Sequence, residues 1–70
     1  MLNYREVLAN NIIKYRKKKG LTREELSLSL GFDNSYISKL EKGKLNITLD
    51  RIVAIANCLG VKLSDLFKVG

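Results

Sequence analysis

Glycines at positions 20, 31, 43 and 60 divide a proline-free chain of 70 residues into short pieces, and each piece opens on a residue suited to capping a helix. This alternation of start signal and glycine stop constrains the fold more than any other feature. It allows a succession of short helices joined by tight turns, and no stretch alternates as a strand would.

The pieces read as follows. Asn3 with Glu6 forms a capping box for a helix over Tyr4 to Lys19, with Leu8, Ile12 and Tyr15 recurring at helical spacing until Gly20. Thr22 with Glu25 forms a second box for "TREELSLSL", where Leu26 and Leu30 share a face and Gly31 tolerates a positive φ. Asp33 is suited to N-cap a third helix that runs to about Lys42 before Gly43. Thr48 caps a fourth helix carrying Leu49, Ile52, Ile55, Ala56 and Leu59 inward, Gly60 stops it, and Ser64 caps a last short turn, "SDLFK". The expectation is a compact all-α domain of five helices, a single unit over residues 1–70 with no linker or repeat.

A core of this size is marginal alone, so self-association is expected. The formal net charge is +6, which favours a polyanionic partner. Residues 1–44 hold 10 basic and 5 acidic groups against 3 and 2 in residues 45–70, so the N-terminal two thirds should face the anion. Cys58 is the only cysteine and there is no histidine, which excludes an internal disulfide and removes the commonest acid-base group and metal ligand. No paired-carboxylate site, phosphate loop, signal peptide or membrane span is present. An enzyme is not expected, nor a metal, cofactor or small-molecule ligand, and a cytoplasmic location is.

Two short helices joined by a glycine-containing turn are the signature of a helix-turn-helix, whose second helix enters the DNA major groove. In "FDNSYISKLEKGK" that second helix has one apolar stripe, Ile37 and Leu40, about 60° apart around the axis. Ser35, Lys39 and Lys42 centre on the opposite face with Ser38 beside them. Asn34 and Ser35 suit base edges, while the long cations of Lys39 and Lys42 suit guanine or phosphate. Backbone N–H groups at the starts of the second and third helices add anion donors.

The run of residues 15–67 resembles the Cro/repressor-type (XRE) helix-turn-helix family. The similarity lies in Arg16 four residues before Gly20, "LTREEL", Gly31 in the turn, "ISKLEKGK" and "IANCLGVKLSDLF". The fold this implies is lambda-repressor-like. Asp33 to Ser38, Glu41 and Asn46 to Thr48 are similar to the controller proteins of restriction-modification systems, small dimeric regulators that bind palindromic operators and time expression of the endonuclease.

The resemblance implies base contacts from Asn34, Ser35 and Lys39, and phosphate contacts from Arg23, Tyr36, Ser38, Lys42, Asn46 and Thr48. It also implies an internal ion pair between Arg16 and Glu41. The chain departs from the family pattern at Arg23, where Gln is frequent, and at Asn46, where Pro is frequent. It departs again at Ser27, where Ala is frequent, and this hydroxyl near a helix-helix contact must bond a backbone carbonyl or cost stability.

Tyr36 has two readings, packing against the second helix or a hydroxyl offered to phosphate. Lys17, Lys18 and Lys19 read first as cations complementing a helix C-terminus and second as a phosphate clamp. Cys58 reads as a small side chain facing away from Ile52, Ile55 and Leu59. Leu45, Ile47, Val61, Leu63 and Phe67, with Leu66 and Val69, exceed what the core needs, and part of this excess is expected to form a self-complementary dimer patch. The expected function is a homodimeric, sequence-specific transcription regulator on a palindromic double-stranded DNA operator, with no membrane partner. Alternatives are a phage or mobile-element repressor and an antitoxin-like protein that binds a toxin and autoregulates.

Overall fold

The structure, a computed structural model, describes residues 3–43 and 45–69. Lys44, the last residue of the quoted "ISKLEKGK", lies outside them. Four α-helices, α1 (Tyr4–Lys18), α2 (Arg23–Ser29), α3 (Tyr36–Glu41) and α4 (Leu49–Leu59), are followed by a 3₁₀ helix over Leu63–Phe67. The fifth helix expected from the sequence is therefore a 3₁₀ turn. It begins after Lys62, whose N–H donates to Asp65 Oδ2 at 3.0 Å, so the capping role expected of Ser64 falls to Asp65.

Local signals set most of the boundaries. Asn3 Oδ1 accepts from the Arg5 and Glu6 N–H groups, and the Thr22–Glu25 box closes in both directions, at 3.0 and 2.9 Å. Thr48 Oγ1 accepts from Arg51 N–H at the start of α4. Gly31 (φ 73°) ends α2 in a Schellman turn: its N–H bonds Leu28 O at 3.0 Å and Phe32 N–H bonds Ser27 O at 2.9 Å. Gly60 repeats the arrangement after α4, where Val61 N–H bonds Ala56 O.

The start of α3 differs from expectation. Asp33 Oδ1 accepts from Ser35 N–H at 3.4 Å and the Asp33 carbonyl accepts from Tyr36 N–H at 2.9 Å, so Asp33 caps the turn that leads into α3 and the α-helix itself begins later, at Tyr36. Ser35 occupies the N-cap position without a side-chain capping bond. The side-chain acceptor for the first turn of α3 itself comes from α2.

The helices bury one apolar cluster that includes Leu8, Ile12, Leu26, Ile37, Leu40, Ile55 and Leu66. Fully burying an aliphatic side chain of this size stabilises by about 1.5–3 kcal/mol, which makes these positions the ones that hold the short helices together. Two placements depart from the pattern. Leu49, expected inward, is 63% exposed in the first turn of α4, and Cys58, expected to face away, is half-buried against the core. Among the described residues no helix is long and apolar enough to cross a membrane.

Candidate nucleic-acid interface

The inward side of α3 is fixed at three points. Ile37 and Leu40 are buried in the core. Arg16 Nε of α1 donates to Glu41 Oε2 at 2.8 Å, and Arg16 Nη1 donates to Leu21 O at 2.8 Å, so one nearly buried guanidinium ties the end of α3 to the α1–α2 connection.

Ser27 supplies the third point. Its hydroxyl, fully buried, donates to Arg23 O at 2.9 Å and accepts from Ile37 N–H at 3.1 Å. A helix leaves its first N–H groups unsatisfied unless something caps them, and here the cap is a side chain from the preceding helix. The carbonyl of the same residue holds Phe32 N–H. Both sides of the turn between α2 and α3 thus hang from Ser27.

With that side fixed, the outward side of α3 is polar. Lys39 and Lys42 are exposed and Ser38 is half-buried. Asn34, exposed, and Ser35, half-buried, sit on the turn that leads into α3 and not in its first helical turn. A shallow recess between α2 and α3 is lined by Arg23, Glu24, Asn34, Ser35 and Ser38, which brings an expected phosphate donor beside the two expected base readers.

The remaining expected contacts are engaged within the protein to different degrees. Asn46 Oδ1 accepts from Arg5 Nη2, and the Asn46 amide N–H groups have no partner among the described residues. The Thr48 oxygen accepts its helix-capping bond and retains its proton as a donor. Tyr36 does not offer its hydroxyl: the oxygen is buried without a hydrogen-bond partner among the described residues, and the ring lies 4.7 Å from that of Phe32. Of the two readings of Tyr36, packing is the one the conformation adopts.

Lys19 Nζ donates to Cys58 O at 2.7 Å, at the C-terminal end of α4, so this member of the lysine run neutralises helix-end carbonyls. The expected dimer residues Leu45, Ile47, Val61, Leu63 and Phe67 are all half-buried and turn part of their surface to the core. Sequence reasoning missed two outward residues, Leu49 and Val53, four apart on α4. It also missed Arg51, whose guanidinium covers both aromatic rings, 4.7 Å from the centre of Phe32 and 5.0 Å from that of Tyr36. The sequence signal for Arg51 was a cation in the first turn of a helix, where the dipole disfavours it.

Comparison with known proteins places this geometry. The sequence matches the helix-turn-helix family over residues 12–66. The crystal structure of the hypothetical transcription factor NHTF from Neisseria is similar with a TM-score of 0.91 at 38% identity, over 94% of this chain and 76% of that one. The restriction-modification controller protein C.AhdI from Aeromonas hydrophila gives a TM-score of 0.84 at 30% identity, over 90% of this chain and 96% of that one. The controller C.Esp1396I, solved as a tetramer in complex with its natural 35 base-pair operator, gives 0.78 at 25% identity, over 97% of this chain and 100% of that one.

Proposed function

This chain belongs to the helix-turn-helix family, and we propose on that basis that it is a sequence-specific transcription regulator that binds double-stranded DNA as a homodimer on a palindromic operator. Residues 1–70 act as one DNA-binding domain, working in the cytoplasm and governing a restriction-modification system. The observation that carries this reading is the two-sidedness of α3. Its inner side is held by Ser27, Glu41 and the core, while Ser38, Lys39 and Lys42 face outward and its one acidic residue is spent on Arg16. A short rigid rod with a polar, cationic outer face suits a major groove about 12 Å wide.

Asn34, Ser35 and Lys39 read bases in this proposal. Arg23, Ser38, Lys42, Asn46 and Thr48 position the backbone. The dimer forms through what remains exposed of Leu45, Ile47, Val61, Leu63 and Phe67, and a groove lined by Tyr4, Ile47, Ile52 and Phe67 opens on that side of the molecule. The likeness to C.AhdI and C.Esp1396I supports the controller role.

Selection from a randomised duplex library tests the reading, and a two-fold symmetric consensus is the expected result. With about eight phosphate contacts per dimer, log K should fall against log salt with a slope of roughly −7. Failure to enrich any sequence would refute the proposal.

A further inference from the structure

We propose that Arg51 is a phosphate-gripping residue, held ready by the Phe32–Tyr36 aromatic pair, and that Arg51 and Arg23 bracket α3 so that each meets one wall of the groove the helix enters. The inference rests on reading α3 as the groove helix.

The flanking positions follow from helical geometry. Successive residues of α3 lie about 100° apart, so Tyr36 falls on one side of Ser35 and Ser38, about 60° from it, on the other. Arg23 lines a recess with Ser38, on that second side. Arg51 lies over the Tyr36 ring, on the first. A duplex carries a phosphate backbone along each edge of its major groove, and two flanking cations match two edges.

Arg51 is also prepared for an anion. It is exposed, and it has no carboxylate partner among the described residues, where Arg16 has one. The two rings hold its guanidinium in place and limit the rotamer freedom that binding would otherwise remove. Its position in the first turn of α4, where Thr48 accepts its N–H, sets its charge against the helix dipole. A DNA phosphate seated there would reverse that conflict. The buried Tyr36 hydroxyl points to the same division of labour: tyrosine supplies the platform and arginine the contact.

The test uses the full chain and the duplex recovered by selection with the wild-type protein, beside a random duplex of equal length. Arg51→Gln should weaken binding to both about tenfold or more per protomer and make the dimer's salt slope shallower by about 2, while the selected consensus stays the same. Arg51→Lys, which keeps the charge and loses the guanidinium that lies over the two rings, should recover only part. Replacing single phosphates by neutral methylphosphonates should reveal one position per half-site that weakens wild type and has no further effect on Arg51→Gln. Circular dichroism checks that the variants are folded. Unchanged affinity and salt slope in Arg51→Gln would overturn the inference and leave the DNA-binding reading standing. Weakened binding with every methylphosphonate effect retained would make Arg51 a structural residue and overturn it as well. A wild type that enriches no duplex would remove the DNA-binding reading itself.

Discussion

Arg16 and Glu41, 25 residues apart in sequence, meet through a 2.8 Å Nε–Oε2 contact with only 10% and 7% of their side chains exposed. Against a well-packed apolar pair the net gain is small, but removing one partner strands a nearly buried charge. Glu41→Ala should lower the unfolding free energy by about 3 kcal/mol, measured by urea denaturation. A midpoint equal to wild type would show that the pair behaves as surface charge.

Ser27 invites a sharper measurement. Ser27→Ala leaves Ile37 N–H buried without an acceptor and should cost about 2 kcal/mol. Amide hydrogen exchange at Ile37 should accelerate more than at Ile12, because the loss is local to the start of α3 before it is global. Equal acceleration at both amides would count against a capping role.

Tyr36 predicts the opposite sign. Its hydroxyl is buried and unbonded, so Tyr36→Phe should raise stability by about 1 kcal/mol while preserving the ring under Arg51. Thermal unfolding of the two proteins side by side decides it.

Asn34 and Ser35 should determine which sequence is bound, and Lys42 how tightly. Losing a bidentate base contact at Asn34 should cost about 1–3 kcal/mol per half-site and relax one base position. Lys42→Ala should weaken selected and random duplexes alike. A selection on the three alanine variants that returned the wild-type consensus for Asn34→Ala and Ser35→Ala would remove both from the reading surface.

Acid should loosen the helix starts. The Thr22 backbone N–H, then its hydroxyl, holds the Glu25 carboxyl below its ordinary value, and the Lys62 backbone N–H chiefly does so for Asp65, helped by the Lys68 charge. Both groups are therefore depressed in the folded state, and their contribution is complete above the unfolded carboxylate values of about 4 and lost as pH falls through the folded ones. The melting temperature should be flat between about pH 7 and 5 and then decline, and Glu25→Gln should decline less steeply.

The parts of this fold legible in the sequence are those decided within four residues. The Thr22–Glu25 box and the glycine stops at 31 and 60 depend on neighbours along the chain, so their positions announced themselves. The start of α3 was legible only in part: Asp33 caps the turn that leads in, whereas the acceptor for Ile37 N–H sits ten residues upstream on another helix. Leu49 misled for another reason: at 100° per residue it lies at the margin of the stripe formed by Ile52, Ile55, Ala56 and Leu59, and it stays 63% exposed while those four are buried. Of the interface, residue types and their outward face were readable, whereas the aromatic seat of Arg51 joins α4 to the turn and to α3 and exists only once those elements meet.

Near the other end of the chain, Asn11 Nδ2 donates to Leu66 O at 2.8 Å and to Lys68 O at 2.9 Å. The first helix is thereby latched to residues that leave the ribosome more than fifty positions later. Closing so long a loop comes last and costs chain entropy that nearby contacts cannot offset early. Until Leu63–Phe67 is in place, the part of α1 that packs against it stays uncovered. A chain shortened to end before Leu66 would therefore hold the whole of α3 and lack the latch that closes the domain around it.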